Sequence, residues 1–218
     1  MNLPLSHIWL PADTPSKRLM VVLHGLGDSA DGFLWLQDAL GIDSLDYLLL
    51  TAPDPYYGGF RWYDIDSNPL PGVVRSRQLL AQVFSTAEQN GYTPEHTFLL
   101  GFSQGCLMTL EFGARHSKRL AGYIGISGYS LDPAALLRDL NPEVNHGDWL
   151  ITHGTQDEML PVQVTRAQMR ALREGGFEID YREYPKTHTI DADRELPEIR
   201  EWIAARLNRN PADDPSKK

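Results

Sequence analysis

The stretch Thr97-Phe98-Leu99-Leu100-Gly101-Phe102-Ser103-Gln104-Gly105-Cys106-Leu107-Met108-Thr109-Leu110 decides the fold. Its first residues are apolar or β-branched on successive positions, as in a strand covered on both faces, and Cys106 to Leu110 open a helical pattern. Between them lies G-x-S-x-G. In that strand-turn-helix setting the serine occupies a strained tight turn, and glycines two residues before and after it let the helix fold back over the strand. The hydroxyl is then presented to solvent. A helix starting at Gln104 also offers unpaired N–H groups and the positive end of its dipole to a developing oxyanion. A glycine-lined structural turn is the alternative reading of the same residues.

Working outward, strand-length apolar runs occur at residues 19–23, 47–50, 97–102, 121–126, 149–152 and 178–184. Helix-like segments at 31–40, 73–90, 104–116, 161–174 and 191–207 separate them, the second closed by Asn90-Gly91. The first five strands are continuously apolar, which predicts a parallel sheet buried on both faces. A run at 5–10, set off by the Pro/Asp/Ser-rich segment 11–17, predicts an extra hairpin strand at one edge. The expected architecture is α/β, a mostly parallel central sheet with helices on both faces, and ligands in such sheets bind at the carboxyl ends of the strands. The length of 218 residues suits one domain over 1–207, followed by a polar tail over 208–218 that is expected to be disordered.

Composition narrows the partners. With 29 acidic and 20 basic residues the chain carries −9, which opposes the electrostatics that drive binding to nucleic acid and to anionic lipid. Cys106 is the single cysteine, so internal disulfides and cysteine-cluster metal sites are excluded. Residues 1–10 lack the basic and apolar regions of a secretory leader, and no apolar run approaches the ~20 residues of a spanning helix. A cytoplasmic protein without membrane insertion is the expectation.

A serine hydroxyl needs a base to take its proton and an acid to orient that base, in the chain order Ser, Asp or Glu, His. Four histidines follow Ser103. His116 ends the nucleophile helix before any strand-end acid, and His146 lies in the loop 141–148. His153 precedes its nearest acids, Asp157 and Glu158, and would reverse the order. His188 lies past the last strand and satisfies both order and placement. For the acid, Asp157 follows the strand at 149–152 and Glu158 is its rival, either of which also suits the start of a helix.

An earlier glycine motif, His24-Gly25-Leu26-Gly27-Asp28-Ser29-Ala30, fits the relaxed dinucleotide pattern after a strand. That reading needs a ribose-binding acid, and Asp54 lies farther on than the ~20 residues usual. As a glycine loop after an early strand it instead supplies a second oxyanion donor, so the backbone N–H groups of Leu26 and Gln104 are the expected hole. His24 reads as a hydrogen-bonded turn histidine. Residues 54–64 hold five of the 21 aromatics, and Phe60 and Trp62, with Met159 and Leu160 beside Asp157, are candidate walls for an acyl group. The alternative is a loop packed on the protein's own core. Cys106 reads as a small buried hydrophobe.

Taken in order, His24-Gly25-Leu26-Gly27-Asp28, Arg61-Trp62-Tyr63-Asp64, Gly101-Phe102-Ser103-Gln104-Gly105, His153-Gly154 with Asp157 and Pro161, and His188 resemble the acyl-protein thioesterase / phospholipase-carboxylesterase family of α/β-hydrolases. The resemblance spans nearly the whole chain. It implies an α/β-hydrolase fold and cofactor-free, metal-free hydrolysis of carboxylic esters or thioesters through an acyl-enzyme, on a small molecule or an acylated protein, with lysophospholipase activity as a variant. Cys106 and Glu158-Met159-Leu160 depart from the family pattern and bear on pocket shape. Two other classes stay open on the residues: a catalytically silent protein binding an apolar ligand in the same cleft, and dinucleotide-dependent redox chemistry.

Overall fold

The computed structural model describes residues 1–208, so the tail expected over 208–218 lies outside the described residues apart from Asn208. Nine strands and seven α-helices are described. The strands are β1 (His7–Leu10), β2 (Leu19–Leu23), β3 (Asp46–Leu50), β4 (Asp54–Tyr56), β5 (Gly59–Arg61), β6 (Thr97–Phe102), β7 (Gly122–Ile126), β8 (Trp149–Gly154) and β9 (Asp180–Tyr184). The helices are α1 (Leu36–Leu40), α2 (Leu70–Gln89), α3 (Gln104–Gly113), α4 (Pro133–Arg138), α5 (Pro142–Asn145), α6 (Val162–Glu174) and α7 (Glu195–Leu207).

Seven strands form one sheet in the order β1-β3-β2-β6-β7-β8-β9, and only β1 runs antiparallel to its neighbour. The continuous apolar runs have the predicted cause. Alternate residues of each central strand enter opposite layers: Leu19, Val21 and Leu23 of β2 join Val83, Leu107 and Met169, from α2, α3 and α6, whereas Met20 and Val22 join Leu36 and Leu40 of α1 and Ile199 and Ile203 of α7. Both faces of the sheet are therefore dry, and burial of both sets drives the parallel arrangement.

The edge strand differs from expectation in its partner. Segment 5–10 makes no hairpin with β2, because β2 is already flanked by β3 and β6. β1 instead pairs with the open side of β3, His7 opposite Leu50 through Leu10 opposite Tyr47. Helix α3 stops at Gly113, short of the expected 116. A Cβ at Gly113 would stand 2.6 Å from the Trp149 ring and 2.7 Å from Tyr123, so α3 approaches the sheet through it. The expected helix at 31–40 splits into a 3₁₀ turn, Ala30–Phe33, and the short α1. The β4–β5 hairpin, α4 and α5 fall in stretches where sequence periodicity gave no element.

Candidate active site

The turn after β6 has the geometry its glycines require. Ser103 holds φ 54° and ψ −113°, a backbone conformation that an L-residue adopts only under strain. A Cβ on Gly101 would overlap the Gly105 carbonyl, and one on Gly105 would overlap the Leu23 carbonyl, so bare glycine at both positions lets α3 lie across the ends of β6 and β2. The Ser103 N–H donates to the Ile126 carbonyl at 2.9 Å, which fixes the turn against β7.

Two and three strands away, the loops after β8 and β9 bring Asp157 and His188 to Ser103. His188 Nε2 lies 2.9 Å from Ser103 Oγ, and His188 Nδ1 lies 2.8 Å from Asp157 Oδ2. An ionised carboxylate only accepts, so Nδ1 carries the proton and Nε2 is left to accept from the serine hydroxyl. The ring also packs against Phe102, with centroids 5.1 Å apart. Asp157 is buried, and its Oδ1 accepts the N–H groups of Met159 at 3.0 Å and Leu160 at 2.8 Å. Burial works to raise its pKa, but the Leu160 N–H and the His188 imidazole outweigh it and hold the carboxyl below its ordinary value. Glu158 is exposed and has no such set of donors.

The loop at 24–28, where an oxyanion donor is expected, is built from a histidine and a hairpin. His24 is fully buried; its Nε2 accepts the Ala52 N–H at 3.0 Å, so Nδ1 donates to the Gly25 carbonyl at 2.6 Å. Burial pushes its pKa down, consistent with a neutral ring. Gly27 N–H donates to the Phe60 carbonyl at 2.8 Å and Phe60 N–H to the Asp28 carbonyl at 2.9 Å, so β5 runs alongside the loop. The backbone N–H groups of Leu26 and Gln104 donate to nothing among the described residues. Free donors of that kind are what a developing oxyanion requires.

Trp62 is corrected by the structure. It is fully buried, its indole N–H donates to the His24 carbonyl at 2.9 Å, its backbone N–H donates to Gln104 Oε1 at 2.9 Å, and its carbonyl accepts from Ser76 Oγ at 2.6 Å. With ring and backbone both held inside, Trp62 braces His24 and Gln104 and offers no wall to a ligand. Phe60 is half-buried and reaches the site through its backbone, Leu160 is half-buried, and Met159 stands 72% exposed beside the acid. Cys106 is buried as expected, with burial raising its thiol to about 12.

Three contributors escaped sequence reasoning. The Gln104 side chain bridges Trp62 and Tyr63, its Nε2 donating to the Tyr63 carbonyl at 3.0 Å. His153, fully buried, donates from Nε2 to the Leu160 carbonyl at 2.8 Å and lies 3.5 Å from Asp157 Oδ2, closing the turn that carries the acid. Lys186 and Glu195 form a buried ion pair under the His188 loop. Each contact joins residues remote in sequence or hidden in a loop, and periodicity carries no trace of it.

Comparison with known proteins adds the family. The sequence profile of the Phospholipase/Carboxylesterase family matches residues 7–207. The chain is similar to Carboxylesterase SOBER1 of Arabidopsis thaliana, 23% identical over 88% of this chain and 92% of that one. It is also similar to Acyl-protein thioesterase 1 of Schizosaccharomyces pombe, 28% identical over 79% of this chain and 83% of that one. Among solved structures, Zea mays acyl-protein thioesterase 2 superposes with a TM-score of 0.78 at 22% identity, covering 93% of this chain and 99% of that one, a likeness of fold.

Proposed function

This chain belongs to the phospholipase/carboxylesterase family of α/β-hydrolases, and on that premise we propose that Ser103, His188 and Asp157 cleave carboxylic esters or thioesters through an acyl-enzyme. Ser103 Oγ attacks the acyl carbonyl while its proton passes to His188 Nε2. The oxyanion forms against the N–H groups of Leu26 and Gln104, which cost no reorganisation as charge develops. The C–O or C–S bond then breaks, and His188 returns the proton to the departing alcohol or thiol. Water attacks the acyl-serine with His188 again as base, releasing the carboxylic acid and restoring the Ser103 hydroxyl. Asp157 stays ionised throughout, holding the imidazole in its Nδ1–H tautomer and stabilising the imidazolium.

The observation that carries the reading is the unbroken chain from Asp157 Oδ2 through both ring nitrogens of His188 to Ser103 Oγ, at 2.8 and 2.9 Å. A binding protein for apolar ligands needs no such chain. The acyl group sits on a small molecule or on an acylated protein, the latter suggested by relatives named acyl-protein thioesterase. The test profiles p-nitrophenyl esters and acyl-peptide thioesters of increasing chain length against wild type and Ser103→Ala. Hydrolysis should vanish with the hydroxyl, and a fluorophosphonate should label the wild type alone. Unimpaired turnover by Ser103→Ala would overturn the assignment.

A further inference from the structure

The loop that presents His188 links β9 to α7 and is exposed at Pro185, Thr187 and Thr189. Its amino-terminal half is stitched to the loop that carries the acid. Thr155 N–H donates to the Tyr184 carbonyl at 2.8 Å and Gln156 N–H to the Lys186 carbonyl at 3.1 Å. A Cβ on Gly154 would overlap the Lys186 carbonyl, so the two loops lie directly on one another. His188 then sits at the apex of a three-residue turn, with Thr189 N–H donating to the Thr187 carbonyl at 2.9 Å.

The carboxyl-terminal half is held from beneath by two charges that the chemistry above does not use. The side chains of Lys186 and Glu195 are 3% and 0% exposed, and Lys186 Nζ lies 2.6 Å from each carboxylate oxygen. Nζ also donates to the Thr189 carbonyl at 2.8 Å, and Glu195 Oε2 accepts the Asp191 N–H at 2.9 Å. A buried ion pair is weak evidence of stabilisation, because desolvation offsets much of its attraction and an apolar pair of similar volume often serves a core as well. An apolar pair cannot, however, donate to Thr189 or accept from Asp191. Those two bonds set the path of the chain immediately after His188.

We propose that Lys186 and Glu195 are positioning residues that hold the His188 turn at the height where its ring meets Ser103 and Asp157 together. The inference rests on the hydrolase reading of those three residues. Catalysis is steep in geometry, and a displacement of about 1 Å can reduce turnover ~10²-fold, whereas neither buried side chain of the pair reaches the surface to contact substrate. The signature is thus a loss in kcat with KM unchanged.

The experiment compares wild type with Lys186→Met/Glu195→Leu, which removes both charges at similar volume, and with Glu195→Gln, which keeps the shape of the side chain and an acceptor for the Asp191 N–H but removes the counter-ion of Lys186. Folding is followed by circular dichroism and thermal melting, turnover with p-nitrophenyl acetate, and the His188–Asp157 bond by the low-field proton resonance of Nδ1–H, assigned by its loss in His188→Gln. A folded double variant should lose ~10-fold or more in kcat, keep KM within about twofold, and broaden or lose the resonance. Glu195→Gln should move the same way by less, and it decides the question if the double variant does not fold. A folded variant with wild-type kcat and an intact resonance overturns the proposal. Inactive wild-type protein would instead remove the hydrolase reading, while the resonance would still report whether the pair holds the ring.

Discussion

Gly59 packs directly onto the carbonyl of Gly27, so that even a methyl group at residue 59 would overlap it. The contact places the β4–β5 hairpin against the loop that carries the Leu26 N–H. Gly59→Ala must push one of the two away, and displacement of the loop is the expected outcome. Since loss of one oxyanion donor typically lowers turnover ~10²–10³-fold, kcat should fall by a substantial part of that range while the far-ultraviolet spectrum stays that of the wild type. Steady-state kinetics beside circular dichroism checks it, and unchanged kcat would show that the hairpin yields instead.

Ser103 holds a positive φ that glycine adopts freely. Strain of this kind amounts to about 1–3 kcal/mol, and the greater freedom of glycine in the unfolded chain offsets about 0.5–1 kcal/mol. Ser103→Gly should therefore be inactive yet more stable by ~1 kcal/mol in urea denaturation. A less stable variant would mean that the serine side chain supports the turn more than the backbone resists it.

Asp157 and Glu158 adjoin in sequence but not in role. Only Asp157 faces His188, so Asp157→Asn should favour the wrong imidazole tautomer and reduce kcat ~10⁴-fold, whereas Glu158→Gln should leave it within about twofold. Parallel kinetics on the two variants decides between them, and comparable losses would reopen the identity of the acid.

Burial pushes the imidazoles of His24 and His153 below their ordinary value. Both take up protons in the unfolded chain near pH ~6.5 but resist doing so when folded, so the unfolded state binds more protons below that pH. Stability should be complete above about pH 7 and should fall as pH drops through about 6 toward 5, by up to ~1.4 kcal/mol per pH unit for each withheld proton. Asp157, held low, contributes stability that is lost only further down, below the ordinary carboxylate range near 4. Urea midpoints measured across this range test the sign, and a flat profile from about pH 7 to 5 would contradict it.

The sheet was legible because its five inner strands are dry on both faces and so appear as unbroken apolar runs; 19–23 and 97–102 coincide with β2 and β6. The three residues selected by chain order and strand-end placement are those that the fold brings into hydrogen-bond contact, because G-x-S-x-G fixes a local geometry and the other two follow from topology. Trp62 shows where this ends. An aromatic after a strand can face a ligand or the interior, and the choice here depends on Gln104 and His24, both distant in sequence. The β4–β5 hairpin left a faint trace, since its two-residue turn, Tyr57-Gly58 with both residues at positive φ, carries a glycine as such turns favour. Lys186 and Glu195 look like ordinary surface charges in any linear reading, and only the packing of a loop over a helix start buries them.

The order in which the sheet is assembled has a consequence for the newly made chain. His188 comes from the loop beyond β9, the edge strand opposite β1, while Ser103 follows β6 at the centre. Ser103 and the Leu26 and Gln104 N–H groups thus belong to the part of the chain made before β9, whereas the proposed base follows it. A chain shortened before residue 188 should therefore carry the serine without its base, and one shortened before α7 should also lack the Glu195 support of the His188 turn.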